Sequence, residues 1–471
     1  VKTPPPPKIG TPAWWLAKLE KEIAERQPQI ALMNSYYLGD HPLPFLTKAH
    51  ESKMRNEFRR LLDDSRTNFM RLVVDAVEER LKVEGFRLSA ENDAVADKDS
   101  WRIWQANQMD AESQTALLEA LVKGVSYLSV WAGDKHPVIA VEDASQTIVG
   151  YEPGSNYRRR AAGLKVWRDD WTGKRRGNVY LPDGIYKFEA PEATENQADS
   201  SEPTRWTELP DLFVENPLGI VPIVPLRNRP RLLCEGESEL ADVYRVQNQI
   251  NGFLFLLALA GYFGAHRQRW AVGLTLMEDT TTGKPVEPFD VSIEKLWVSE
   301  DATDGNGGQV RFGEFSQTDL APYVKAIEQK VLHIAVTTRT PRHYLIQEGQ
   351  SPSGDAIRSA ESGLVKKTER KQRPFGEGLE EAIRLARSFA GEPDAPVDSE
   401  IVWADPSTPT IAETTDAVIK QFSGGLIPWE AALETLGYTQ TQIQRFAGMR
   451  ASDALMQQIL NPPPAPNGNP A

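Results

Sequence analysis

The side chains with the most chemical potential in this chain are basic, and they fall in two clusters. Arg158, Arg159 and Arg160 precede one β-patterned segment, and Lys174, Arg175 and Arg176 precede its neighbour. Lys366, Lys367, Arg370 and Lys371 recur at helical spacing, with Glu369 among them and Arg373 beyond. Such groups can neutralise phosphates, pair with acids of a neighbouring subunit, or do no more than solvate a surface. The whole chain argues against a general nucleic-acid binder. Its 53 Lys and Arg against 66 Asp and Glu leave a net charge of −13, whereas affinity for a polyanion grows with excess cationic charge.

The remaining chemistry is sparse. A single cysteine, Cys234, excludes a disulfide framework and a multi-cysteine zinc site, and it reads as an inert small residue beside a turn. Six histidines are scattered too widely for a metal cluster, so no cofactor is expected. Gly283–Lys284 is followed by proline and lacks the earlier glycine of a phosphate loop. The run Gly349–Ser353 has serine where a nucleophile elbow needs its second glycine. Residues Asp301–Gly308 lack the carboxylate spacing and final glutamate of a calcium loop. Carboxylate pairs are common on the helical stretches, and none stands out as an acid–base pair.

The elements that would carry these residues read as α+β, mainly helical. The spacing of Leu16, Leu19, Ile23, Ile30 and Met33 predicts a helix over Trp14–Tyr37, with Pro28 as a potential interruption. Further helices are predicted at Phe69–Leu81, with Gly85 as its C-terminal cap, and at Met109–Lys123, ended near Gly124. Strands follow at Ser126–Ala132, Val138–Glu142, Gln146–Tyr151, Ala162–Arg168, Gly177–Leu181 and Gly184–Glu189. Glu192–Pro203 reads as a loop, and Ile220–Leu226, with its prolines, as an edge strand. A helix capped by Ser238 over Gly236–Gly264 and another over Asp319–Thr338 bracket an insertion with strands at Lys295–Val298 and Val310–Phe315. A polar loop, Thr340–Ser353, leads to one long helical pattern at Gly354–Ala390, roughly 55 Å if straight, with a kink expected at Pro374, Gly376 and Gly378. A strand at Ile401–Trp403 and short helices at Ala412–Phe422, Pro428–Leu436, Thr439–Met449 and Ala451–Leu460 complete the chain. Trp14, Trp15, Trp101 and Trp104 suit core packing or a subunit interface. The Pro-rich ends, residues 1–12 and 461–471, offer little to bury and are expected to be disordered.

The apolar run Phe253–Ala265 is shorter than the about 20 residues a membrane span needs and is flanked by polar residues. It reads as a buried helix, and no membrane partner is expected. The start has neither a signal-peptide core nor a transit leader, which predicts a cytosol-made protein.

Several segments, taken in order, resemble the portal proteins of long-tailed (siphovirus-type) bacteriophages. Tyr36-Tyr37-Leu38-Gly39-Asp40-His41-Pro42-Leu43 is similar to that family's tyrosine-Gly-Asp element. Asn68 with Leu72–Leu81, then Val83 and Gly85-Phe86, and Ala120–Tyr127 around Gly124, are similar to its next helix and strand entries. Pro222–Leu226, Asn228-Arg229, Gly236–Leu240 and Asn251 resemble the lead into its stem, and Arg269–Gly273 follows at the corresponding place. Ser353–Ile357 with Glu361 and Lys371-Gln372-Arg373 resembles the segment after its channel loop. The resemblance covers about residues 30–460, and the C-terminal helices match only loosely.

The resemblance implies a non-enzymatic subunit of a ring, generally a dodecamer, at the capsid vertex through which double-stranded DNA enters and leaves. It implies a wing at residues 13–235, stem helices at 236–264 and 319–341, and a clip at 265–318. A channel loop at 342–353, a long helix and return to the wing at 354–410, and a crown at 411–460 follow. Gln347, Glu348, Gln350 and Ser351 would then line the bore. Leu254, Leu257, Val324, Ile327 and Val331 would form the ring interface of the stem, and Lys366, Lys367, Arg370 and Lys371 would contact phosphates or a neighbouring subunit. The implied partners are further copies of the chain, the terminase large subunit, a head–tail adaptor, and major capsid and scaffold proteins. The competing readings are an enzyme on nucleic acid or carbohydrate with an unrecognised carboxylate pair, a different virion or secretion adaptor, and a membrane protein using residues 253–265.

Overall fold

The computed structural model describes residues 7–41, 56–87, 97–191, 206–265, 269–272, 311–314, 319–346, 354–392, 399–407, 411–438, 442–443 and 445–450. The fold is mixed α+β, and the chain divides into two compact units, residues 1–406 and 407–471.

In the larger unit, helix α1 (Pro12–Leu38) starts at Thr11, whose Oγ1 accepts from the Trp14 amide, and ends at Gly39 in the left-handed region. It passes through Pro28 without a break. Burial on both sides of the proline accounts for this: Leu16 and Leu19 enter one core cluster, Ile30 a second, and Met33 and Tyr36 a third. Two short helices follow, α2 (Asn56–Asp64) and α3 (Met70–Glu78). Strand β1 (Val83–Arg87) then contains Gly85, so that glycine does not cap α3; it sits at a register shift against the last strand of the unit. Helices α4 (Lys98–Ala106) and α5 (Met109–Lys123) come next. Asp97 caps α4, an element the sequence pattern had not revealed.

Strands β2 (Val125–Trp131) and β3 (Val138–Glu142) pair antiparallel. A meander follows: β4 (Thr147–Tyr151), β5 (Arg160–Arg168), β6 (Arg175–Tyr180) and β7 (Gly184–Ala190), with β8 (Thr207–Glu208) and β9 (Val214–Glu215) both on β7. The expected loop at Glu192–Pro203 lies outside the described residues. Strand β10 (Ile223–Arg227) returns to the first sheet as its edge, in the order β10-β2-β3, which accommodates Pro225.

The period-two alternation of β2 places two cores on its opposite faces. Val125 and Tyr127 join Ile223, Val149 and Tyr180 on the meander side. Leu128 and Val130 join Leu117, Leu121, Phe375 and Leu379 on the helical side. The small sheet thus lies between the meander and the main helical core.

Beyond β10, residues 239–243 form turns, and helix α6 begins only at Tyr244, running to Ala265. Ser238 Oγ accepts from the Leu240 amide and shapes the turn rather than capping the helix. Strands β11 (Arg269–Val272) and β12 (Arg311–Glu314) pair antiparallel and close the insertion. Its predicted strand at Lys295–Val298 and the Asp301–Gly308 turn lie outside the described residues. Helix α7 (Ala321–Thr338) packs along α6, and a short helix α8 (Arg342–Leu345) follows.

Helix α9 (Gly354–Phe389) is a single element that continues through Pro374. Gly376 and Gly378 serve close packing. A Cβ on Gly378 would come within 2.6 Å of Leu226, and one on Gly376 within 3.2 Å of Ile401. Strand β13 (Glu400–Trp403) pairs with β1 and completes the unit.

The smaller unit holds α10 (Ile411–Ser423) and α11 (Trp429–Thr435), joined through Gly425 at φ +72°. Val418, Ala432 and Ile443 are buried in it, and Arg450 lies over the Trp429 ring. Residues 451–460, expected to be helical, lie outside the described residues.

Candidate functional site

The α6–α7 pair is joined to the body at a root built from buried polar groups. Its first layer is a backbone-to-backbone contact. Gly124 ends α5 at φ +92°, and a Cβ on Gly236 would fall 2.0 Å from the Gly124 carbonyl oxygen. Only glycine permits that approach. The contact is stitched by the Asn228 amide donating to Gly124 O (2.9 Å), the Glu237 amide to Asn228 O (2.9 Å) and the Glu239 amide to Leu121 O (2.9 Å).

Glu239 is the second layer. It is 4% exposed. Its Oε1 receives Lys371 Nζ and Asn228 Nδ2, the latter at 3.1 Å, and its Oε2 receives Lys367 Nζ at 2.7 Å. Lys371 also donates to Asn228 Oδ1 at 2.6 Å, and Lys367 to the Thr338 carbonyl at 2.9 Å. One carboxylate therefore binds the end of β10, the start of the α6 segment, the C-terminus of α7 and the middle of α9. Burial pushes the Glu239 carboxyl up, but the two ammonium groups outweigh it and hold it down at about 2. Burial dominates at Lys371 and lowers it to about 8. Both groups are charged at neutral pH, as a satisfied buried ion cluster requires.

A third layer ties α6 to α1. Gln247 Oε1 accepts from the Phe69 amide (3.0 Å), and its Nε2 donates to Thr67 O (2.8 Å) and to Asn251 Oδ1 (3.0 Å). Asn251 Nδ2 lies 2.7 Å from His41 Nε2, and Tyr36 Oη donates to Asn248 Oδ1 at 2.7 Å. His41 is fully buried and stacks on Tyr36, ring centroids 4.5 Å apart. Burial, reinforced by the Arg66 charge, lowers its pKa to about 4 and keeps the imidazole neutral. A neutral ring makes Nε2 an acceptor for the Asn251 amide.

A fourth group joins α8 to α9. Arg80 Nη2 donates to Tyr344 Oη (2.8 Å) and Tyr344 Oη to Glu361 Oε1 (2.9 Å), with His343 Nε2 3.6 Å from the same carboxylate oxygen. Burial, the largest influence, raises the Tyr344 hydroxyl pKa.

The basic residues singled out in the sequence separate in three dimensions. Lys367 and Lys371 turn inward to Glu239, while Lys366 is exposed beside Glu369 (2.8 Å) and Arg370 is exposed. They are two helix faces, not one stripe. The strand cluster also divides. Arg168 pairs in register with Arg175, so Arg158–Arg160 lie at the opposite end of β5 from Lys174–Arg176. Members of both groups meet acids of their own chain: Arg160 with Glu381 (2.6 Å), Arg175 with Glu20 (3.0 Å), and Lys174 and Arg176 with Glu189 (each 2.6 Å).

The apolar helix-pair residues divide similarly. Val331 is 3% exposed and sits in the main core, with Leu254 and Ile327 half-buried against that core; Leu257 is half-buried. Packing within the subunit already accounts for the burial of Val331, which was expected at the ring interface. Val324 is exposed, and so are Leu256 and Val336, which the sequence reading passed over. Gln347, Glu348, Gln350 and Ser351 lie outside the described residues. Cys234 is half-buried beside a turn, with its thiol donating to Gly236 O. Trp104 is buried and Trp101 stacks on it at 6.4 Å.

The roles of Gln247 and Thr338 had no sequence signal beyond polar residues on apolar helices. Glu239, His41, Asn251, Glu361 and Lys371 did carry one, as parts of the family-like segments. These separate segments converge on a single root.

Among the described residues, no group of three or more His, Cys, Asp and Glu could hold a metal ion, and no helix is long and apolar enough to cross a membrane. The buried charges at this junction of helices are paired with one another. The chain belongs to the SPP1 Gp6-like phage portal protein family, whose model matches residues 16–454. It is a phage portal protein, a structural component of the virion and not an enzyme. The portal protein of Mycobacterium phage L5 is 32% identical over 472 residues, covering 95% of this chain and 90% of that protein. The portal protein of Mycobacterium phage D29 is 32% identical over 412 residues, covering 82% and 79%. A solved chain from the neck of an empty GTA particle, computed with C6 symmetry, aligns with a TM-score of 0.40 at 9% identity, covering 87% of this chain and 93% of that one.

Proposed function

We propose that copies of this chain form a closed ring, a dodecamer, at a capsid vertex, and that double-stranded DNA passes through its bore during packaging and ejection. The α6–α7 pair is the stem, and the body together with α9 is the wing. The insertion between the stem helices is the clip, which meets the terminase large subunit and later the head–tail adaptor. Residues 411–460 are the crown, and major capsid and scaffold proteins surround the ring during assembly in the host cytoplasm. Gln347, Glu348, Gln350 and Ser351 line the bore and offer replaceable hydrogen bonds. Lys366 and Arg370, exposed on α9, are the cations available to phosphates or to a neighbouring subunit.

One observation carries this reading beyond family membership: Leu256, Val324 and Val336 on the stem pair are 44%, 45% and 72% exposed. Apolar surface of that kind marks an interaction face when it is grouped, and a head-to-tail contact between copies closes naturally into a ring. A net charge of −13 per chain, repeated around the ring, repels phosphates and keeps the contacts of a moving duplex brief.

Electron microscopy of the purified protein, viewed end-on, tests the ring; particles that remain single subunits at every concentration reject it. Deleting Gln347–Ser351 tests the bore assignment. Rings are expected to form and DNA packaging to fail, and DNA-filled heads at the normal yield would refute that role.

A further inference from the structure

Next to the root lies a feature that the intrachain packing does not use. Arg231 and Cys234 form an isolated antiparallel bridge, their amides and carbonyls exchanging bonds of 3.0 and 3.1 Å. The two residues at the tip of this turn are Leu232 and Leu233, 75% and 86% exposed. The turn is held firmly. Arg229 pairs with Asp242 (2.9 Å) and Glu237 (3.6 Å), and Arg231 reaches Glu237 (3.8 Å). Two leucines are thus presented to water on a pre-ordered support, which lowers the entropy cost of burying them against a partner.

The same chain carries an apolar receptor. The lining of a concavity of about 790 Å³ on α6 includes, among the described residues, Tyr244, Asn248, Phe253 and Leu256. Phe253 and Leu256 provide apolar walls. A head-to-tail ring needs two different and complementary surfaces on every copy. The projecting leucine pair and the hollow are such surfaces, and both lie at the base of the stem.

We propose that Leu232 and Leu233 of one copy seat in the α6 concavity of the next, so that this stem-root pocket is completed by a second copy of the chain. The proposal rests on the ring reading and names the residues that lock it. Two leucines cover only part of the about 800 Å² per partner that a standard interface buries. Val324 and Val336, also exposed on the α6–α7 pair, are open to the rest of the contact.

The test is a cysteine pair, Leu233→Cys with Leu256→Cys, in a Cys234→Ser background, oxidised with copper phenanthroline and run on a non-reducing denaturing gel. The expected result is a ladder of covalently linked copies ascending to the closed ring, absent from either single-cysteine variant. Rings visible by electron microscopy without a ladder overturn this proposal and leave the ring intact as a reading. A link confined to single copies, seen as a monomer of altered mobility, also overturns it. If the unmodified protein forms no rings, both readings fall together. A second variant, Leu232→Ser with Leu233→Ser, is expected to lower the ring population at least tenfold while the circular dichroism of the subunit stays unchanged; wild-type ring yield from that variant would also overturn the proposal.

Discussion

At the stem root Glu239 receives Lys367, Lys371 and Asn228, all from its own chain, whereas on helix α6, which follows it in the chain, Leu256 faces water. The root and the stem faces differ in what completes them. Every charge at the root has an internal partner at short range, so the root is finished when one chain folds. The faces present Leu256, Val324 and Val336 with no covering element among the described residues, and the proposed reading completes them with neighbours. Directional, saturated contacts fix the angle at which the stem leaves the wing. In the proposed ring, non-directional apolar contacts set how strongly copies adhere.

The largest effect that would break this comparison belongs at the root. Glu239→Ala leaves two buried ammonium groups without their carboxylate and is expected to cost about 3–5 kcal/mol, read from denaturant unfolding of the subunit. A loss below 1 kcal/mol would show that the node is not holding the root. Gly236→Ala places a Cβ against the Gly124 carbonyl and is expected to cost about 1–3 kcal/mol, measured in the same way.

The histidine prediction has a defined sign. His41 is held at about 4 in the folded protein, below its ordinary 6.5. The unfolded chain therefore binds the proton more readily between these values. The contribution of His41 is fully present above pH 6.5 and is lost as the pH falls through about 4. The loss is expected to be on the order of 2–3 kcal/mol, seen as a falling melting temperature over that window. A His41→Gln variant should flatten the curve, and an unchanged slope would assign the acid sensitivity elsewhere.

On the faces the expectation reverses. Val336→Asp or Val324→Asp should alter subunit stability by no more than about 0.5 kcal/mol, as exposed substitutions do, yet release monomers in size-exclusion chromatography. Leu254→Asp and Ile327→Asp should release monomers as well, but with a loss of subunit stability, because both pack against the main core and would bury an unpartnered charge. If the two pairs of variants behave alike, the line drawn between root and faces is wrong. The smallest effect is expected for Lys366→Ala, an exposed partner of Glu369, at about 0.3–0.5 kcal/mol.

Much of this molecule was legible in its residues. Helix α5 and strand β3 occupy the predicted spans, because each has clear stops: Gly124 after one, turn residues around the other. The edge position of β10 followed from Pro225. Helix α4 was missed because it is only nine residues long and Asp97 is an inconspicuous cap. Gly85 was misread as a stop, and the close approaches at Gly376 and Gly378 were not foreseen. A glycine needed for a close approach looks the same in sequence as one needed for a turn, and only the neighbour across the gap tells them apart. The candidate cations were visible as a group, but helical spacing alone did not reveal that Lys367 and Lys371 point inward, since their partner Glu239 is distant in the chain.

The sequence by itself determined the class of fold, the order of its elements, the poverty of catalytic groups and the family resemblance. These depend on local periodicity, composition and short motifs, which are properties of neighbouring residues. The tertiary structure alone decided which polar residues meet at the stem root, which stem residues are already covered by their own subunit, and where an uncovered leucine turn stands near an apolar hollow. Those depend on contacts between residues far apart in the chain, and a buried charge is stable only where a partner arrives from elsewhere in the fold.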